Sequence, residues 1–506
     1  MAYFTLHAYD ADVWIPQFNG LMQAEEIASD LRYALDAENV ETPRGVLQPM
    51  AAPEIIDFQP GTKIETLARF HRRWFTGTGS KDWMVIAADG KLYYKQETAT
   101  TWTQLAYPTG ITAWQSNVWS WVTYEINPAG SSSPVDVLLL SNAKDGMIMV
   151  VPPYTATTPN PDWKITPINT QGKKFGVIER YAERIWGGAI PDDPDMLMYS
   201  APFDPEDWSP NVTIPEDGAG DISQPSWDGD SFCALKAFGS QMIAFKKTRV
   251  WRVLGTSPGE YTFKEQYGGG TPYPNTLAID NERILMVERD GLSVYDGLSV
   301  NPFSRPAIER LWKTVNKNAM DQMCAVLFKN RYYLAMPTDG ATANNTLVIY
   351  NIEEGTFLKY TDIYIESLLA TEDCLYATSS TIPGKIMVIN YDSWETGQAS
   401  GKLTKWETPW IDFGRKSMAK GGYEIYFSPE VKGAPVSFRF SIETEKKKKS
   451  KTVTVQTTTF KAKQKKIRFG GTSRRFRLII ETVSAPQGAT WRFIGGVQMV
   501  VETDPD

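Results

Sequence analysis

The sequence predicts an all-β protein: a β-propeller of about seven blades, preceded by a short N-terminal arm with one helix and followed by a C-terminal β-sandwich. Three observations predict it. Aromatic residues are abundant, with 17 Trp and 23 Tyr, while 38 Gly and 32 Pro punctuate all 506 residues, a combination that favours short strands joined by tight turns. Two strand motifs recur at intervals of about 50 residues. From about residue 406 the pattern changes to strict alternation of apolar and polar residues, as in strands with one buried and one wet face.

The arm spans residues 1–54. Within it, Glu25 to Asn39 places Ile27, Leu31, Ala34 and Leu35 at helical spacing, and Pro43 and Gly45 punctuate the end. One amphipathic helix in otherwise extended chain has too little apolar surface for a core of its own, so the arm is expected to pack on the propeller or on a neighbouring subunit.

The propeller is assigned to residues 55–405. A tight turn entering an apolar strand occurs at Asp89-Gly90, Asp145-Gly146, Asp290-Gly291 and Pro383-Gly384, with glycine-to-glycine intervals of 56, 145 and 93, close to one, three and two units. A second strand motif recurs seven times, at Arg73-Trp74-Phe75, Val118-Trp119-Ser120, Arg184-Ile185-Trp186, Gln241-Met242-Ile243, Arg283-Ile284-Leu285, Arg331-Tyr332-Tyr333 and Cys374-Leu375-Tyr376. Units of this length holding about four short strands are the signature of propeller blades, each of which buries its faces only against its neighbours. Ala307 to Met320, with Ile308, Leu311, Trp312 and Val315 on one face, predicts a helix between blades. The sandwich, residues 406–506, is expected from Tyr423–Phe427, Val436–Phe440, Thr452–Val455, Ile467–Phe469 and Arg475–Ile480.

Composition narrows the function classes. Cys233, Cys324 and Cys374 lie far apart and His7 and His71 stand alone, so no metal-ligand spacing can be written. No nucleophile elbow or phosphate loop is present; Gly268-Gly269-Gly270 lacks the lysine such a loop needs. No catalytic residue, cofactor or metal is therefore expected. Acidic loops at Ile190–Asp195 and Glu216–Asp221 lack the register of a calcium loop and read as surface loops. The start of the chain lacks a signal-peptide pattern, and no apolar run is long enough for a membrane span.

Charge is unevenly placed. The net charge is −7, yet Lys446 to Arg477 holds 13 Lys and Arg and no Asp or Glu, which leaves about −20 on the rest. Lys446, Lys447, Lys448 and Lys449 read as a hairpin tip, and Arg475 and Arg477 alternate with Phe476 and Leu478 as the wet face of a strand. Together with Arg474 they are candidate contacts to subunits or partners, in preference to nucleic acid.

Three stretches carry a more specific likeness: Thr248 to Gly255, Tyr267 to Pro272, and Asp290 to Gly297. With Phe18–Leu21, Ala37–Val40 and Pro43–Leu47 in front and Ile411–Gly414 opening the sandwich, the chain resembles bacteriophage tail hub or nozzle proteins, the packaged-DNA stabilisation group. The resemblance spans nearly the whole chain through short motifs. It implies a virion structural protein, assembled in the host bacterial cytoplasm as a ring, six being the expected number. The ring would lie below the portal and adaptor, pass DNA through its lumen without specific binding, and dock fibre or spike proteins. No catalytic residue is carried over, and the inserted domains of larger members are missing here. The alternative is a propeller that binds a cell-surface glycan through exposed Trp and Tyr faces, ahead of a glycan-cleaving enzyme, which would need paired carboxylates in a pocket.

Overall fold

The computed structural model describes residues 6–503 except 8–9, 24–29, 58–62, 130, 132, 155–161, 225–228, 267, 281, 391, 398, 413–419, 459–463, 485 and 487. Seven four-stranded antiparallel sheets follow one another along the chain. Blade 1 is formed by Ile64–His71, Asp82–Ala88, Lys91–Gln96 and Thr103–Gln104, and blade 2 by Ser120–Ile126, Val135–Asn142, Gly146–Val151 and Lys164–Ile168. Blade 3 comprises Val177–Tyr181, Arg184–Gly188, Met196–Tyr199 and Gly220–Ser223, and blade 4 Phe232–Phe238, Gln241–Lys246, Val250–Leu254 and Thr262–Glu265. Blade 5 runs from Ala278 to Pro302 and blade 6 from Cys324 to Thr361. Blade 7 takes three strands from Ser367–Ala370, Leu375–Thr378 and Lys385–Val388, and its fourth from Glu54–Asp57, where Ile56 pairs with Ile386.

First strands adjoin from blade 1 to blade 4 and from blade 5 to blade 7, blades 4 and 5 share a core of Ala234, Phe245, Ile284 and Met286, and the first strand of blade 7 meets that of blade 1, which closes the ring. Tyrosine hydroxyls tie neighbours together: Tyr124 donates to Glu183 O at 2.6 Å, Tyr181 to Gly255 O at 2.7 Å and Tyr332 to Thr276 O at 2.7 Å. Such rings bury apolar area between blades while satisfying their one polar atom.

The four turn motifs all join the second and third strands of a blade, in blades 1, 2, 5 and 7. Their intervals of one, three and two units thus measure blades directly. The second motif lies in or enters the second strand in blades 3 to 7, but at two positions it is out of phase. Val118-Trp119-Ser120 enters the first strand of blade 2, and Arg73-Trp74-Phe75 lies in the connection after the first strand of blade 1. There the amide of Trp74 donates to buried Asp136 of blade 2 at 3.0 Å, so the segment bridges blades instead of pairing.

The sandwich is built from both ends of the chain. One sheet has the order Leu6–His7, Asp10–Ile15, Thr490–Thr503, Lys420–Lys432, Lys465–Ser473; the other Lys448–Val455, Val436–Thr444, Phe476–Ser484, Lys405–Glu407, Asp36–Glu38. All five predicted strand segments fall on these sheets, the last beginning one residue later than expected, at Phe476. Phe427 and Phe440 meet across the interior with centroids 4.3 Å apart, and Phe438 meets Trp491 edge-on at 5.0 Å. The same core continues through Phe18 and Leu21 of the arm to Tyr332, Leu334 and Phe357 of blade 6. Gly20, at φ +125°, passes so near the chain that an added Cβ would lie 2.6 Å from Phe357 O.

Two helix expectations change. Over residues 25–39, the stretch 25–29 lies outside the described residues, and from Asp30 onward no helix forms. Tyr33–Ala34 and Asp36–Glu38 are strands. In extended form Ala37 enters the core while Asp36 and Glu38 reach Lys359, which the helical face could not provide. The second helix covers Arg305–Thr314 between blades 5 and 6, burying Ala307, Ile308 and Leu311. It stops because Val315 turns extended and forms a bridge to Thr338; a 3-10 turn, Lys317–Gln322, replaces its last turn.

Candidate functional site

The basic segment forms one side of the sandwich. Val436–Thr444 and Lys448–Val455 make a hairpin whose turn is closed by Thr444 N donating to Lys447 O at 2.8 Å. Lys446 and Lys447 therefore occupy the tip, while Lys448 and Lys449 open an edge strand whose outer backbone groups face no other strand among the described residues. All four are exposed. The strand beside it on the other sheet, Lys465–Ser473, is also an edge, and Lys449 Nζ donates across to Gly470 O. Two adjacent edges are thereby covered with lysine, which opposes indiscriminate strand pairing and concentrates positive charge.

Part of this charge is engaged within the chain. Arg477 pairs with Glu407 and with Glu443 at 3.3 Å, and stands over the Trp410 ring at 4.4 Å. Arg475 binds Glu445 at 2.9 Å and lies 5.2 Å from the same ring. Arg474 is exposed. Lys466, Tyr426 and Arg468 hold the Glu424 carboxyl down to about 2. Lys446, Lys447 and Lys448, by contrast, form no salt bridge among the described residues. Sequence reasoning placed the arginines on the wet face but could not see their carboxylate partners, which lie on other strands.

A second feature is an aromatic cleft of about 500 Å³ between blades 1 and 2, lined by Arg72, Trp74, Phe75, Trp83, Tyr154 and Trp163 among others. Trp83 and Trp163 have centroids 5.0 Å apart, and the Arg72 guanidinium stands 4.9 Å from the Phe75 ring. Trp74, half exposed, donates its Nε1 to Glu125 at 3.0 Å. The exposed Arg73-Trp74-Phe75 step, read as a strand, supplies this cleft.

A third cleft, about 340 Å³, lies where arm, blade 6 and sandwich meet. Its carboxylates Asp36, Glu38 and Glu407 are ion-paired: Lys359 binds Asp36 at 2.9 Å and Glu38 at 2.7 Å, and Lys405 binds Asp36 at 3.0 Å and Glu407 at 2.8 Å. Elsewhere, His71 has a partner the sequence did not reveal, Asp82 at 2.8 Å, which also takes both arms of Arg69. Burial pushes the Cys233 and Cys324 thiols up to about 12. Among the described residues no group of three His, Cys, Asp or Glu side chains is placed to hold a metal ion, and no helix is long and apolar enough to cross a membrane.

Fold and surface together define a seven-bladed β-propeller fused to a sandwich that both chain ends build. No family model matches the chain, and neither does any curated protein. Among solved structures it is similar to the WD40 domain of Neurospora crassa Pan2, at 9% identity over 65% of this chain and 88% of that one, with a TM-score of 0.36. It is also similar to BBS1N, solved in complex with ARL6DN, at 10% identity over 68% and 97%, TM-score 0.40. A third is the extracellular domain of a protein assigned to the one-component systems, from B. thetaiotaomicron, at 10% identity over 89% and 63%, TM-score 0.42.

Proposed function

We propose that this chain is a virion structural protein, a subunit of a ring-shaped tail hub or nozzle that conducts DNA and docks other tail parts. The observation that carries the reading is charge segregation: a lysine-covered sandwich edge joined to a body of about −20. Opposite patches on one chain orient copies of it during assembly, and surplus acid lining a lumen repels phosphates so that DNA slides. The motif likeness noted above supports the same role. The ring would meet an adaptor on one side and fibre or spike proteins on the other, with no catalytic step. Reversal of Lys446 to Lys449 to glutamate is expected to slow or block incorporation into particles, most strongly at low salt where charges are least screened. Normal incorporation of that variant would count against the role.

A second reading, glycan binding, is favoured by the aromatic cleft, because sugar rings stack on apolar faces while polar rim groups select hydroxyls. In that case Trp74→Ala abolishes binding to a cell-surface glycan array that the unaltered chain recognises. Equal binding by both would remove this reading.

A further inference from the structure

The connection between the last two strands of blade 3, residues 200–219, is 20 residues long, far beyond the usual loop in such a fold. It is nonetheless ordered from within. Buried Arg184 donates through Nη1 to Ser200 O at 2.7 Å and Gly218 O at 2.6 Å, and through Nη2 to Glu216 O. Buried Trp208 anchors its middle, with Nε1 donating to Pro205 O at 2.9 Å. Asn211 Oδ1 accepts from the amides of Thr213 and Ile214, each at 3.0 Å, and fixes the tip. What this frame presents is apolar: Val212 is 96% exposed, Phe203 65% and Ile214 48%. A rigid loop that holds three large apolar side chains in water is a preformed docking surface. Around them stand Asp204, Glu206, Asp207, Glu216 and Asp217, all exposed and in no salt bridge among the described residues.

The lysine edge is the complement in charge, and the aliphatic stems of its lysines give it apolar cover. The two surfaces cannot meet within one chain. The sandwich rests on blade 6 through the arm, which also binds the helix Arg305–Thr314, and on Ser393–Thr396 after blade 7, and blade 3 lies three blades from blade 6 in one direction and four in the other, on the opposite flank of the ring of blades. Complementary patches on opposite flanks make a head-to-tail contact, the kind that closes into a ring or runs on as a filament.

We infer that the 200–219 loop of one copy docks, Val212 foremost, on the Lys446–Lys449 edge of the next copy. The inference rests on the proposed ring and identifies the contact that builds it.

Two full-length variants, Val212→Cys and Lys447→Cys, are treated with a short bismaleimide separately and mixed. The native thiols are raised by burial and react poorly with it near neutral pH, and the unaltered chain is the control. Cross-linked dimer in the mixture and in neither variant alone is expected. In parallel, the four-lysine reversal should lose the assembled species in a mass measurement. Reversing Asp204, Glu206, Asp207, Glu216 and Asp217 to lysine in the same chain should restore it. If the unaltered chain assembles but the mixture gives no dimer, or Val212→Cys cross-links to itself, or the double reversal restores nothing, the contact is wrong while the ring stands. An unaltered chain that stays monomeric in solution and in particles overturns both.

Discussion

At the scale of single residues, Glu41 is the most consequential titratable group. Only 4% exposed, it accepts from Ser393 N at 2.8 Å, Gln48 Nε2 at 3.1 Å and Asp392 N at 3.2 Å. Burial outweighs these donors and, with nearby Asp392, pushes its carboxyl from an ordinary 4.5 up to about 7. The folded chain therefore binds this proton more tightly than the unfolded one. Its contribution to stability is complete below pH 4.5, declines as pH rises toward 7, and is gone above it. The full change is on the order of 3 kcal/mol, at roughly 1.4 kcal/mol per pH unit. Asp36 has the opposite sign: burial pushes it up, but Lys359 and Lys405 outweigh that and hold it below the usual range. Its contribution is lost only in more acid solution, so the two windows do not overlap. Denaturation midpoints taken from pH 4.5 to 8 should fall more for the unaltered chain than for Glu41→Gln, whose side chain does not titrate. Parallel curves would show that Glu41 ionises normally.

At the scale of elements, the arm is the piece on which most depends. It gives Leu6–His7 and Asp10–Ile15 to one sandwich sheet, Asp36–Glu38 to the other and Glu54–Asp57 to blade 7. Asp36 and Glu38 also ion-pair with Lys359 of blade 6, so one short strand joins sandwich to propeller. Deleting residues 1–40 would expose the faces these strands cover and leave Lys359 and Lys405 without Asp36. The truncated chain is expected to be largely insoluble or to lose cooperative unfolding, as read by calorimetry; a single transition at the original midpoint would refute this. The arm's apolar residues were legible in sequence, and so was its need of a partner surface. Its extended form was not, because Ile27, Leu31, Ala34 and Leu35 satisfy helical spacing equally well. The choice is made by strands such as Lys405–Glu407, nearly 370 residues away, to which Asp36–Glu38 pairs.

At the scale of the whole molecule, the surface charge has different consequences one residue at a time and in bulk. Lys446, Lys447, Lys448 and Lys449 are exposed, so each contributes about 0–1 kcal/mol to any contact it makes, and single changes to alanine should leave particle incorporation unaltered. Reversing all four changes the sign of a patch. A single alanine variant that blocks incorporation would mean that one lysine is buried in the contact and not at its rim.

The sequence alone determined what depends on local chemistry and on counting. Glycines with positive φ occupy the same turn in blades 1, 2, 5 and 7, and their intervals, multiples of one unit, set the blade period. Period-two alternation located the sandwich strands because a strand with one wet face repeats every second residue. Tertiary structure alone decided what depends on partners remote in the chain. Arg73-Trp74-Phe75 has the composition of a strand, yet Asp136 of the next blade draws it out of register. Blade 7 is completed by Glu54–Asp57, and the sandwich edges by Asp36–Glu38 and Leu6–His7, because a closed ring and a two-layer core take whichever strand covers their open side. His71 and Arg477 likewise find their carboxylates through folding, not spacing. Backbone preference acts within a few residues and is written in the sequence, whereas burial and ion pairing act through space and exist only once distant segments meet.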